Sequence, residues 1–163
     1  MGKARIHHED PTLRLASDRG VLVATWFDAP TADQMRVIAR AGRELGHGYP
    51  SGIGFANVVV RGNPRFDDEV RAEAIEIARE RIFRRGSCHI VLVEGLAGAA
   101  TRAFLSMVLL VGKRSRGPDA APTKVFGDCE TAARWFVPML DGWSAGELAS
   151  FFRSGTEATP KDV

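Results

Sequence analysis

The chemically most suggestive pair in the sequence is Cys88–His89, a thiol next to an imidazole. A thiolate nucleophile activated by a histidine base is the arrangement of a cysteine-dependent enzyme. Both residues, however, lie in SCHIVLVEG, an apolar run that is typical of a β-strand. Neighbouring side chains on a strand point to opposite faces of the sheet, so these two cannot form a hydrogen bond side by side. The sequence therefore predicts no catalysis by this pair, and we name no catalytic residue.

Two other histidines, His7 and His8, stand beside Glu9 and Asp10 and carry donor atoms that metals use. Adjacent side chains in an extended chain point apart, which disfavours a shared metal. No HExxH or paired CxxC spacing occurs elsewhere in the chain. We interpret the histidines as surface residues of a flexible N-terminus, and we expect neither a metal nor another cofactor.

A glycine-rich turn, EGLAGAAT, spans residues 94–101 between a predicted strand and a predicted helix. Backbone N–H groups at such a junction could cradle a phosphate. The turn lacks the Lys-Ser/Thr of a P-loop and the spacing of a dinucleotide fold, so we favour glycines that let the helix pack tightly on the sheet. Glu94 and Arg102 still fall where open α/β sheets bind ligands, and we predict that they contact a partner or ligand.

A basic cluster follows, with Lys113, Arg114 and Arg116. It could meet an acidic partner, an anionic lipid head group or nucleic acid, but basic residues also stabilise a helix C-terminus. The chain has 22 Lys and Arg against 20 Asp and Glu, so its net charge of +2 gives no general attraction to nucleic acid. We favour a solvated loop, expect no nucleic acid, and keep Lys113 as a candidate ligand-binding residue.

Periodicity predicts the elements that would position these residues. An antiparallel hairpin is followed by alternating helices and strands, a pattern that calls for parallel strands joined by right-handed crossovers. The expected fold is α/β, a mixed sheet with an N-terminal hairpin and about five helices, in one domain (1–154) with a flexible tail (155–163). The predicted hairpin covers residues 12–28, and the predicted strands cover 52–60, 87–95 and 123–127. Predicted helices cover 31–46, the segment from Asp67 or Asp68 up to Gly86, and 99–113. Two further helices are capped by Asp128 and Ser144.

The third predicted helix is apolar almost all round, so it is either deeply buried or covers a partner. A homodimer through this helix is one expectation. The longest apolar stretch, over 103–112, is about half of the roughly 20 residues that cross a bilayer, so we expect no transmembrane segment. Without an export signal, the cytoplasm is the expected compartment, and Cys88 and Cys129 are expected to be reduced rather than bridged.

Four segments, in order, carry a resemblance to a known family: VLVATWFDAPTADQM, PSGIGFANVV, IVLVEG running into GAATRAFLSMVLL, and KVFGDCETAARWF. Together they cover about residues 12–140, and the resemblance rests on their order and spacing. The chain resembles the bacterial anti-sigma-factor antagonists, the STAS domains, and their STAS-like or SEC14-like relatives. The resemblance implies a non-catalytic regulatory scaffold that binds a protein partner.

In that family a phosphorylatable Ser or Thr precedes the helix after the central strand, where a phosphate adds about −1.5 to −2 charges. The matching segment here, residues 61–67, contains no Ser, Thr or Tyr. The resemblance therefore implies partner binding by Arg61, Asn63 and Arg65 without phosphorylation of this loop. The alternative is a small-molecule or lipid-binding protein that uses the apolar third helix with Arg102 or Lys113.

Overall fold

The structure, a computed structural model, describes residues 4–61, 66–117 and 119–157, with the backbone alone for 108–116. The chain forms a mixed sheet with helices on both faces. A short 3-10 turn covers Val137–Met139. The strands and helices are β1 (Arg5–Glu9), β2 (Leu13–Asp18), β3 (Val21–Trp26), α1 (Ala32–Gly46), β4 (Gly54–Val59), α2 (Asp68–Glu80), β5 (Gly86–Val91), α3 (Gly95–Arg116), β6 (Thr123–Phe126), α4 (Cys129–Phe136) and α5 (Ala145–Ser154).

The six strands lie in the sheet in the order in which they occur in the chain. β1–β2 and β2–β3 are antiparallel, whereas β3–β4, β4–β5 and β5–β6 are parallel. The turn between β2 and β3 is short, which forces antiparallel pairing, and each later pair is joined by a helix. The predicted α/β class, with an antiparallel hairpin and then parallel β-α units, is confirmed.

Side chains that alternate between the two faces of the sheet form two separate hydrophobic cores. One face of the sheet packs against α1, where Leu15, Leu22 and Phe55 surround Ile38. The other face packs against α4 and α5, with Phe136 and Phe152 fully buried. Each fully buried side chain of this size contributes about 1.5–3 kcal/mol. The two short C-terminal helices are therefore part of the core, and they pack on one face of the sheet.

The N-terminus is an edge strand, so the prediction of a flexible segment was wrong. RIHHE has a single apolar residue and no clear alternation, which is why the pattern did not predict β1. A bulge between Ile6 and His8 shifts the register against β2. The Nε2 atom of His7 then lies 2.7 Å from the Ser17 hydroxyl, and the Nε2 atom of His8 lies 2.7 Å from Asp10. The extra residue in the bulge thus lets both imidazoles face α1, although adjacent side chains of a regular strand diverge.

Helix ends also differ from their predictions. α2 ends at Glu80 because Arg81 takes a left-handed conformation, with φ of 53°, whereas the predicted stop, Gly86, begins β5. α3 begins at Gly95, four residues earlier than predicted, and continues to Arg116. The chain beyond α5 stays folded through residue 157, because Gly155 is buried against Thr25. The rest of the predicted flexible tail, 158–163, lies outside the described residues.

Candidate functional site

Three of the sequence-predicted site residues lie along one edge of the sheet, where the parallel strands end. Val59 at the end of β4 pairs directly with Val91 at the end of β5. Arg61 follows β4 by two residues, and Glu94 follows β5 by three. Arg102 lies two turns into α3, the helix that starts at the same edge. We call this region the carboxyl edge. It corresponds to the position at which open α/β sheets bind ligands.

Arg61 is exposed, and its guanidinium carbon lies 5.6 Å from the centroid of the Phe27 ring. Phe27 directly follows β3 and is buried. A cation over an aromatic face at this distance is attracted by the ring quadrupole, which holds the positive charge at the end of β3 and β4. Asn63 and Arg65, the other two residues predicted for this loop, lie outside the described residues.

Glu94 occupies the N-cap position of α3, but its side chain caps no N–H group of the helix. It is exposed, as is Leu96 two residues later. By contrast, Thr31 and Ser144 form complete capping boxes at α1 and α5. The Glu94 carboxylate therefore makes no capping hydrogen bond and is available to bind another molecule at the carboxyl edge.

Arg102 faces inward. Its Nη1 atom donates a hydrogen bond of 3.4 Å to the carbonyl oxygen of Val91, and its side chain passes beside Gly127. A Cβ atom at Gly98 would lie 1.7 Å from the carbonyl oxygen of Val93. Gly98 thus allows the first turn of α3 to lie close to the connection that follows β5; the prediction that the glycines let the helix pack on the sheet stays a prediction. Arg102 ties that turn to the end of β5.

Lys113 does not share the carboxyl edge. It lies eleven residues beyond Arg102, and at 1.5 Å per helical residue this places it about 16 Å further along the axis. Only its backbone position is described. The backbone of Lys113 and that of Arg102 therefore belong to different parts of α3.

The outward side of α3 is apolar. Leu96 is 90% exposed, Phe104 46% and Met107 56%, and the alanines between them, Ala100 and Ala103, are also exposed. These five residues lie within one arc of about 100° around the helix, which we call the outer stripe. Leu105, on the opposite side, is buried. Part of the predicted apolar surface, at Phe104 and Met107, is therefore exposed, whereas the side chains of residues 108–111, which belong to the same prediction, lie outside the described residues.

A row of polar side chains crosses the centre of the sheet and was missed by the sequence analysis. The indole N–H of Trp26 donates to the Asn57 side-chain oxygen at 3.0 Å, and the Asn57 amide nitrogen lies 3.2 Å from Nδ1 of His89. Because an indole can only donate, the oxygen of Asn57 must face Trp26 and its NH2 group must face His89. His89 Nδ1 therefore accepts. The sequence signal for this row was that two polar residues, Asn57 and His89, occupy paired positions in neighbouring apolar strands.

The two cysteines have no catalytic environment. Cys88 and Cys129 are both free and buried in the core beneath α4 and α5, whereas His89 bonds Asn57 on the other face. The predicted divergence of Cys88 and His89 is thus observed. Burial, and then the neighbouring Cys129, raises the pKa of Cys88, and burial raises that of Cys129. Neither thiol forms a thiolate readily at neutral pH.

Within the described part of the chain, no three His, Cys, Asp or Glu side chains are close enough to hold a metal ion. A search of the same residues finds no helix with the length and apolarity needed to span a bilayer. Comparison of the chain with protein-family models, with curated proteins and with solved structures finds no match. The functional argument therefore depends on the surface chemistry of this structure.

Proposed function

We propose that this chain is a non-catalytic regulatory module that binds a protein partner through the outer stripe and the adjacent carboxyl edge. The observation that carries the proposal is the outer stripe, where Leu96, Phe104 and Met107 expose apolar side chains to solvent. Contiguous exposed apolar surface rimmed by polar residues is characteristic of protein interaction sites. Arg61 and Glu94 supply a charged rim at one end of the stripe.

The proposed type is STAS-like. The features that support it are the antiparallel β2–β3 hairpin and the three parallel β-α units after it, in the order expected from the resemblance. Residues 61–67 contain no hydroxyl-bearing side chain, so the module would not be switched by phosphorylation of that loop. Binding would instead depend on apolar contact and on the charged rim.

The experiment is a quantitative comparison of proteins captured from the source cell by the wild type and by charge variants. We expect Leu96→Glu with Phe104→Glu to lose specific partners, because the two charges would have to be desolvated in an apolar interface. Arg61→Glu and Glu94→Arg should reduce capture less, since charges at an interface rim contribute less than its core.

Ile75→Glu is the matched control, because Ile75 is a similarly exposed apolar side chain, at 46%, and it belongs to α2 rather than to the outer stripe. Each variant must keep the far-ultraviolet circular dichroism spectrum and cooperative unfolding of the wild type. If the outer-stripe variants capture the same proteins as the wild type and Ile75→Glu, the outer stripe is not the interface and the proposal fails.

A further inference from the structure

A cavity of about 330 Å³ lies on the other side of the molecule, between the edge strand β1 and helix α1. Arg5 and His7 line it from β1, and Arg40 and Glu44 line it from α1. Small-molecule sites occupy roughly 300–1,000 Å³, so the cavity has room for a small ligand. It shares no residue with the carboxyl edge or the outer stripe.

Two of its lining residues are exceptional in this structure. Among the arginines whose side chains are described, Arg5 and Arg40 are those without a hydrogen bond, ion pair or ring contact. All the others have at least one such partner, whether a carboxylate, a carbonyl, a hydroxyl or an aromatic ring. They are Arg14, Arg19, Arg36, Arg43, Arg61, Arg71, Arg79, Arg81, Arg84, Arg85, Arg102, Arg134 and Arg153. Both unpartnered guanidinium groups line the same cavity.

Local backbone geometry explains how these side chains converge. Arg5 pairs with Ser17 across the β1–β2 ladder, and the bulge after Ile6 leaves His7 within hydrogen-bond distance of the same Ser17 hydroxyl. Ser17 lies on the face of the sheet that α1 covers. Arg40 and Glu44 are four residues apart on α1, so they occupy one side of that helix. Two rigid elements thus hold the four groups.

The charge of the cavity is unbalanced. Two guanidinium groups face one carboxylate, that of Glu44. Burial, and then the nearby Arg5, lowers the pKa of His7, although Glu44 acts in the opposite direction. The imidazole is therefore uncharged at neutral pH, and the lining has a net positive charge. Each guanidinium presents a planar set of N–H donors that fits the oxygens of a phosphate group.

We propose that this cavity binds the phosphate group of a small molecule, with Arg5 and Arg40 holding the phosphate oxygens and His7 lying beside them. A phosphate carries about −1.5 to −2 charges and three acceptor oxygens, enough to engage both arginines. This site would make the module responsive to a phosphorylated metabolite or to free phosphate. The proposal does not depend on the identity of any protein partner.

The test is isothermal titration calorimetry with inorganic phosphate, and separately with glycerophosphate, at an ionic strength held constant with potassium chloride. We expect saturable binding by the wild type. Arg5→Gln and Arg40→Gln should each weaken it by about tenfold, since a charge-assisted hydrogen bond is lost. Glu44→Gln should strengthen binding, because the like-charged carboxylate is removed. Tighter binding of glycerophosphate than of phosphate would identify an organic phosphate as the ligand, and equal binding would identify the free anion.

Arg79→Gln is the matched control, because Arg79 is an exposed helical arginine on α2 whose partner is Glu76. It should leave the phosphate affinity unchanged, and all variants should unfold at the wild-type temperature because the substituted side chains are exposed. The proposal is overturned if phosphate binds no better than chloride. Equal weakening by Arg79→Gln, unchanged affinity of the Arg5→Gln/Arg40→Gln double variant, or a preference for citrate over phosphate would overturn it too.

Discussion

At the level of single residues, Asp10 organises the connection between β1 and β2. Its Oδ1 atom accepts hydrogen bonds from the backbone N–H groups of Thr12 and Leu13, at 2.7 and 2.8 Å. Its Oδ2 atom lies 2.7 Å from His8 Nε2 and 2.9 Å from Gln34 Nε2. Burial tends to raise the pKa of Asp10, but the hydrogen bonds from His8, Gln34, Thr12 and Leu13 outweigh it and lower the pKa strongly.

This lowered pKa predicts a pH-dependent contribution to stability. The contribution is fully present above the unfolded-state pKa of about 3.9, and it is lost as pH falls toward the lower folded-state pKa. Asp10→Asn should therefore reduce the free energy of unfolding by about 1–3 kcal/mol at neutral pH, and by less in acid. Urea unfolding at neutral and acidic pH measures the difference.

The matched control for Asp10 is Asp119→Asn, at an exposed aspartate. It should change stability little at either pH. If Asp10→Asn lowers the free energy of unfolding equally at neutral and acidic pH, the electrostatic explanation is wrong, because the loss would then not depend on the charge of the carboxylate.

Asn57 is the second residue with a distinct energetic role. Asn57→Leu would leave the Trp26 indole N–H without its acceptor in a half-buried site, and we expect a loss of about 1–3 kcal/mol. Trp26→Phe removes the donor as well. A double-mutant cycle of these two variants, measured by urea unfolding, should show a combined loss smaller than the sum of the single losses. Additive losses would mean that the two groups do not interact.

At the level of elements, α5 is positioned by a close contact just after its last turn. A Cβ atom at Gly155 would lie 2.2 Å from Oγ1 of Thr25 on β3, and Thr25 is buried. Gly146, in the first turn of the same helix, has no atom within 4 Å of such a Cβ. The same substitution at these two positions therefore tests the docking of the helix.

Gly155→Ala should destabilise the protein by about 1–3 kcal/mol through overpacking. Gly146→Ala should stabilise it by about 0.5–1 kcal/mol, because alanine is the better helix former. Thermal unfolding gives both values. Adding Thr25→Ala should recover part of the loss at Gly155, and failure to recover any of it would locate the clash elsewhere.

At the level of the whole molecule, both thiols are buried in the core beneath α4 and α5, so their reactivity measures how often that core opens. Cys88 and Cys129 are almost completely inaccessible, and they belong to one cluster. Labelling by a thiol reagent under native conditions should therefore require opening of the core. We expect both thiols to react together, with an opening free energy equal to the global value from urea unfolding.

An exposed thiol provides the comparison for that experiment. Ser51→Cys lies in an exposed turn and should react at once, without unfolding. If Cys129 reacts well before Cys88, then α4 opens separately from the sheet, and the two thiols do not share a single cooperative unit.

The sequence by itself determined the elements that have strong local signals. Alternation over 12–28 predicted the hairpin, and the predicted helix caps Asp128 and Ser144 both accept a backbone N–H of the first helical turn in the structure. These signals work because the bonds they describe join residues close in the chain. The predicted α/β class followed from the order of those elements. Arg61 and Glu94 could be assigned to one edge because parallel strands end together.

Only the tertiary structure decided which side chains meet across the chain. β1 has little apolar character of its own and exists because β2 offers a partner edge, and its bulge sets the direction of His7 and His8. The Trp26–Asn57–His89 row depends on the register of three strands, and the cavity with Arg5 and Arg40 depends on where α1 crosses β1. Composition and periodicity do not contain such juxtapositions, because packing between distant segments sets them.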